Sequence, residues 1–222
     1  MQVVDIYRPE GKPRGVVALV HGGFWRSMYG REGLGEHCRK FAADGYVAGN
    51  LAFRRVGDPG GGWPNTGTDV AMGLQALADA HGPLTAVIGH SSGGHLALWA
   101  AKEVTPRPHM VVSVSGCNDL ALAQSIHAGR GAIDDLLGGN IKLLRDADPA
   151  QRLPLGCKVT LVVTDDDPVV PAVLSESFAA KARAAGDDVD VQVVPGDHFS
   201  VLDVGSAVWC AVETAVGSAL PA

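Results

Sequence analysis

The sequence predicts one α/β domain, a mostly parallel central sheet flanked by helices. Three observations predict it. Short apolar runs alternate with helical patterns along the chain, the order that builds strand–helix–strand crossovers. The 222 residues are the size of one such domain. A glycine-bracketed turn at residues 89–93, Gly-His-Ser-Ser-Gly, joins an apolar run to a run of small helix-forming residues.

Strands are expected near residues 2–7, 15–20, 46–52, 84–89, 109–114, 158–164 and 189–194, where Val, Ile and Leu cluster between turn residues. Helices are expected near 31–44, 66–81, 93–104, 171–185 and 200–217. Residues 116–154 hold two short helical patches, Leu120–Ile126 and Ala132–Leu137, and are the one insertion long enough to form a small lid over a site. The glycine-rich stretch Gly57–Gly62 reads as a flexible loop near the pocket mouth; no lysine follows it, so it is no phosphate cradle. There are no internal repeats and no interdomain linker, so the domain is expected to span 1–222.

The Gly89–Gly93 turn carries the chemistry. A strand that turns sharply into a helix with a serine at the apex is a nucleophile elbow, and Ser91 occupies the apex. Gly89 and Gly93 flank it because a Cβ at either place would crowd strand or helix. Acyl transfer needs preorganised N–H donors for the oxyanion of the tetrahedral intermediate. His21-Gly22-Gly23-Phe24-Trp25-Arg26 follows the strand Val16–Val20 and can supply one from Gly23 or Phe24; Ser92, after the nucleophile, supplies another. His21 reads as a loop-stabilising hydrogen bonder. Trp25 and Arg26 either pack the loop down or line the substrate pocket.

The acid belongs on the loop Thr164–Val170, after the strand Val159–Val163. The spacing D-x-x-V-P selects Asp167, with Asp165 the alternative; the remaining aspartate suits turn or capping chemistry. Elbow serines of this kind take their partners in the chain order Ser, Asp, His. Of eight histidines only His198 follows Asp167, which makes it the candidate base. His90 and His95 flank the elbow and are expected to orient or pack it, while His37, His81, His109 and His127 read as surface or capping residues.

With these motifs in place the chain resembles the α/β-hydrolase superfamily, and within it small bacterial esterase-like proteins near kynurenine formamidase. The shared pieces are His21–Trp25, Phe53–Gly57, Gly62-Trp63-Pro64, Gly89–Leu96 and the Asp167 and His198 loops, over nearly the whole chain. Phe24 stands where hormone-sensitive-lipase-like esterases carry a third glycine, which keeps the N–H and adds an aromatic wall. Thr164 stands where the acid loop usually opens with glycine. The resemblance implies a serine hydrolase cleaving small carboxylic esters or amides through an acyl-enzyme on Ser91, with neither cofactor nor metal. An acyltransferase or cyclase on the same triad is the alternative, and a non-catalytic ligand-binding relative a third reading.

Composition agrees. The net charge of −6, with no basic cluster, argues against nucleic acid. A chain of this size buries roughly 70% of its unfolded surface, so it needs no disulfide staple. Cys38, Cys117, Cys157 and Cys210 form no metal pattern and read as reduced core or pocket thiols, Cys117 lining the pocket. Met1–Asp5 has no basic start or sustained apolar stretch, and no segment approaches a membrane span, so the expected location is the cytoplasm. The expected partner is a small acyl substrate, with no membrane, and the protein a monomer or homodimer.

Overall fold

The computed structural model describes residues 3–219. Seven strands form one sheet: β1 (Val3–Tyr7), β2 (Gly15–Val20), β3 (Tyr46–Ala52), β4 (Leu84–His90), β5 (Met110–Val114), β6 (Lys158–Thr164) and β7 (Val189–Val194), in the order β1-β3-β2-β4-β5-β6-β7. All neighbours pair in parallel except β1, which runs antiparallel to β3 at the edge.

Both faces of the sheet are covered, and the strands show why. In β2, Val16, Ala18 and Val20 face one core while Val17 and Leu19 face the other, the period-2 alternation of a strand buried on both sides. The first core is closed by α2 (Asn65–His81), α3 (Ser92–Ala100) and α7 (Val173–Ala184), through Leu74, Leu96 and Phe178. The second is closed by α1 (Gly35–Ala43) and α8 (Ala207–Ser218), through Phe41 and Trp209.

Two expected helices are interrupted. Residues 31–44 begin as a 3-10 turn, Arg31–Leu34, before α1. Residues 200–217 split into a 3-10 turn, Ser200–Leu202, and α8, because the Ser206 side chain caps α8 by accepting from Trp209 N–H. The helix expected over 93–104 is shorter, Ser92–Ala100, and the one expected over 171–185 begins at Val173. Residue 2 of the first expected strand lies outside the described residues.

His37 corrects its reading as a surface or capping residue. It is fully buried on the inner stripe of α1, with Leu34, Cys38 and Phe41 at helical spacing. Its Nε2 lies 2.9 Å from the Val201 carbonyl oxygen, and its ring stands edge-on to Trp209. Of the cysteines, Cys38 and Cys117 are buried, Cys157 is half-buried and Cys210 is exposed; all four are free.

Residues 116–154 are more structured than two patches. They carry α4 (Leu120–Ser125), α5 (Ala132–Leu137) and α6 (Leu144–Ala147), with 3-10 turns at Ile141–Leu143 and Pro149–Gln151. The buried Asp148 carboxylate pins this segment by accepting from the N–H groups of Leu120, Ala121 and Ala150. The loop at Gly57–Gly62 is also tied down: Asp58 accepts from Arg55 N–H and Nε, and Gly61 N–H donates to Asp58.

From β2 the chain moves outward to β3 and then returns across β2 to β4. This reversal is where ligands bind in open α/β sheets, outside the carboxyl ends of the strands. Val20 pairs with Gly89, so the segments that follow β2 and β4 leave the sheet side by side.

Candidate active site

Ser91 sits at the apex between β4 and α3 with φ 56° and ψ −121°, a conformation L-residues rarely hold. The glycines around it explain how the turn closes. A Cβ on Gly89 would lie 2.1 Å from Gly93 O, and one on Gly93 would lie 2.2 Å from Val20 O. A Cβ on Gly94 would lie 2.3 Å from Ser113 Oγ. Ser91 N–H donates to Val114 O at 2.9 Å, which anchors the apex to β5.

Ser91, His198 and Asp167 come together from three separate loops. His198 Nε2 is 3.0 Å from Ser91 Oγ, and His198 Nδ1 is 2.8 Å from Asp167 Oδ2. All three side chains are largely shielded from water. Burial alone would raise the Asp167 carboxyl. The hydrogen bond from His198 and the N–H groups of Val170 and Val169, both 2.8 Å from Asp167 Oδ1, outweigh it and hold the carboxyl at about 2. An ionised carboxylate only accepts, so His198 Nδ1 carries the proton and Nε2 of the neutral ring accepts from the Ser91 hydroxyl. Asp165 points elsewhere: its Oδ1 accepts from Gly196 N–H at 3.0 Å and braces the His198 loop. Asp166 N–H donates to Gly196 O.

The loop after β2 lies against the elbow. A Cβ on Gly22 would meet His90 O at 2.9 Å and Ser91 Cβ at 3.0 Å, and one on Gly23 would strike the Tyr29 side chain at 2.3 Å. Gly23 (φ 116°), Phe24 (φ 55°) and Trp25 (φ 58°) all take positive φ, and the last two do so with full side chains. The loop is locked by Arg26 N–H to Gly23 O, Val56 N–H to Trp25 O and Trp25 N–H to Ser92 Oγ. Among the described residues no acceptor is found for the N–H groups of Gly23, Phe24 or Ser92. Free donors beside a serine hydroxyl are what an oxyanion requires.

The flanking histidines have defined jobs. His95 Nδ1 accepts from Trp25 Nε1 at 3.1 Å, so its Nε2–H donates to Ala147 O at 2.8 Å, linking the β2 loop through α3 to α6. His90 Nε2 reaches the backbone oxygen of His198. His21 stacks on Phe53 at 4.4 Å, with Nδ1 2.7 Å from Gly22 O. Burial pushes all three down to about 4, so they are neutral scaffolding.

Two hollows open beside Ser91. The narrow one includes Trp25 and Cys117, together with Phe24, Ile133, Val170 and Leu174. Burial lifts the Cys117 thiol to about 12, which keeps it an inert wall. The wide one includes Gly23, Phe24, Tyr29, Leu34, His198 and Phe199. Tyr29, Leu34, Ile133, Leu174 and Phe199 escape sequence reasoning because no motif marks them. Arg26 follows the first of its two readings, fastening the loop down, and is absent from the lining of both hollows. Its Nε and Nη2 clasp Asp135 Oδ2 at 3.0 and 2.5 Å, joining the β2 loop to α5.

Among the described residues no cluster of three or more His, Cys, Asp or Glu side chains could hold a metal, and no helix is long and apolar enough to cross a membrane. The model of the BD-FAE family matches residues 4–182. No curated protein matches the chain in sequence. Among solved structures, an acetyl ester-xyloside bifunctional hydrolase from Caldicellulosiruptor lactoaceticus superposes with TM-score 0.81 at 19% identity, over 97% of this chain and 86% of that one. Esterase B from Lactobacillus rhamnosis gives 0.78 at 20% identity over 97% and 82%. Thermogutta terrifontis esterase 2, phosphonylated by sarin, gives 0.78 at 17% over 98% and 87%. At these identities the likeness establishes the fold, that of the α/β-hydrolases.

Proposed function

The chain belongs to the BD-FAE family, and from that premise we propose that it is an esterase-type serine hydrolase cleaving small carboxylic esters or amides, with Ser91 as nucleophile, His198 as base and Asp167 as the acid that orients it. The observation that carries this reading is the unbroken relay from Asp167 through His198 to Ser91, at 2.8 and 3.0 Å, ending on a strained apex serine beside unpaired N–H donors.

The steps follow from the parts. His198 Nε2 takes the Ser91 proton as Oγ attacks the acyl carbon, and the carbonyl π pair moves onto oxygen. The oxyanion is held by Ser92 N–H with that of Gly23 or Phe24. As it collapses, the bond to the leaving group breaks and His198 gives that group its proton. Water then attacks the acyl-enzyme with His198 again as base, releasing the carboxylic acid and restoring Ser91. Asp167 stays ionised throughout and stabilises the transient imidazolium. Residues 116–154 act as a small cap over the acyl side, a role supported by Ala128, Gly129 and Ile133 beside Ser91.

The test is a panel of aryl and alkyl esters, with N-formylkynurenine as the amide arm and products identified by mass. Ester turnover that disappears in Ser91→Ala is the expected result. Turnover retained in Ser91→Ala overturns the nucleophile. Acyl transfer to an added amine or alcohol in preference to water overturns hydrolysis in favour of acyl transfer.

A further inference from the structure

The two hollows beside Ser91 differ tenfold in room: about 20 Å³ on one side and about 210 Å³ on the other. Phe24 and Ser91 line both, which puts Phe24 at the partition between them. His198 lines only the wide hollow. The leaving group must receive its proton from His198 Nε2 as its bond breaks, so it lies on the His198 side. The acyl chain is left with the narrow side.

That side has well-packed walls at its base, while Ala128, Gly129, Val169 and Pro171 form a half-buried to exposed rim. Trp25, Cys117, Ile133 and Leu174 are all buried, and Ile133 belongs to α5, which Arg26 clamps to the β2 loop. A space of this size admits about one water-sized group. Past the carbonyl carbon there is room for a hydrogen or a methyl, and each further methylene must displace the side chains of these walls or of the rim.

The wide side is apolar and open. Phe199 is 57% exposed, Tyr29 45% and Leu202 44%, three large hydrophobic side chains around one mouth. A sugar there would meet few polar side chains: His21, His90, His198 and Tyr29 supply them, and His21 Nδ1 and His90 Nε2 are already turned to the Gly22 and His198 carbonyls. An aromatic or branched apolar group would cover the rim instead.

We propose that this site takes formyl or acetyl as its acyl group, joined to a bulky apolar leaving group, and that Phe24 with Ile133 and Leu174 sets the limit on acyl length. The inference rests on the serine hydrolase reading above and extends it to substrate class.

The test compares naphthyl acetate, propionate, butyrate and hexanoate, one leaving group throughout, and then naphthyl acetate against an acetylated methyl pentoside. The wild-type kcat/KM is expected to fall about 10-fold or more from acetate to butyrate, and naphthyl acetate to exceed the sugar ester by a similar factor. Phe24→Gly removes the partition at a positive φ that glycine holds easily, and Ile133→Ala opens the opposite wall. Each is expected to raise the butyrate-to-acetate ratio about 10-fold. Wild-type butyrate or hexanoate turnover equal to acetate overturns the acyl limit, as does an unchanged ratio in Phe24→Gly. Preference for the sugar acetate overturns the leaving-group class. These results leave the hydrolase reading standing. No turnover of any ester, with no phosphonate adduct on Ser91, overturns that reading and this one together.

Discussion

His90 Nε2 lies 2.8 Å from the backbone carbonyl oxygen of His198, and the two rings are 4.8 Å apart. A carbonyl only accepts, so His90 carries its proton on Nε2 and donates. Burial, and then the neighbouring His198, keeps the His90 ring uncharged at about 4. The residue before the elbow serine thus holds the loop that presents the base.

Replacing His90 by Phe keeps most of the volume and removes the donor. It is expected to lower kcat about 10- to 100-fold with little change in KM, because the base shifts relative to Ser91. His90→Gln, which can still donate, is expected to recover part of the loss. Equal kcat in both variants, with loss tracking only the melting temperature, would mean that His90 merely fills space.

Asp167→Asn is expected to reduce kcat by about 10⁴-fold, as the equivalent change does in another triad, because an amide favours the wrong imidazole tautomer. Asp165→Asn is expected to lose less than about 10-fold. Its amide oxygen can still accept from Gly196 N–H, and a lost contact of that kind is worth ~1 kcal/mol. Steady-state kinetics on one ester compares them; a dead Asp165 variant beside an active Asp167 variant would relocate the acid.

Acid should weaken the fold in two separate windows. His21, His90 and His95 titrate near 4 when folded and about 6.5 when unfolded, so unfolding takes up protons between those values. Stability therefore falls as pH drops from about 6.5 to 4, by up to ~1.4 kcal/mol per pH unit for each histidine. Asp167 is depressed to about 2 against an unfolded value of about 3.9, so its contribution is present above 3.9 and is lost as pH falls towards 2. Urea unfolding at a series of pH values measures both. A flat unfolding free energy between pH 6.5 and 4.5 would contradict the histidine assignment.

Gly93→Ala puts a Cβ 2.2 Å from Val20 O and 2.5 Å from His21 O, both backbone atoms that cannot swing aside. The expected loss is about 1–3 kcal/mol or more, a melting temperature lower by several degrees, together with lost activity. Gly217→Ala is the control. It lies exposed in α8 with nothing within 4 Å, so alanine there is expected to stabilise by about 0.5–1 kcal/mol. Calorimetry of the two variants gives the contrast, and equal melting temperatures would remove the steric account of the elbow.

The sequence by itself determined the features that depend on near neighbours. The run from Leu84 to Ala100 reads as strand, turn and helix because apolar content, flanking glycines and one serine all act within a few residues of each other. The parallel sheet follows in the same way from its alternating elements. His37 was illegible as a buried residue because a histidine on a helix looks alike on either face until the partner helix, carrying Trp209, is in place. The split before α8 turns on one serine cap that sequence periodicity does not register. Chain order nominates Asp167 and His198, but their 2.8 Å separation exists only because β6 and β7 run side by side, ending at Thr164 and Val194. The pocket was the least legible of all. Phe24 was legible as an aromatic wall from its place after Gly22-Gly23, but the other walls, Ile133, Leu174 and Phe199, stand on three distant segments and make no local pattern. Which acyl group fits depends on how closely those side chains pack, and only the tertiary structure sets those distances.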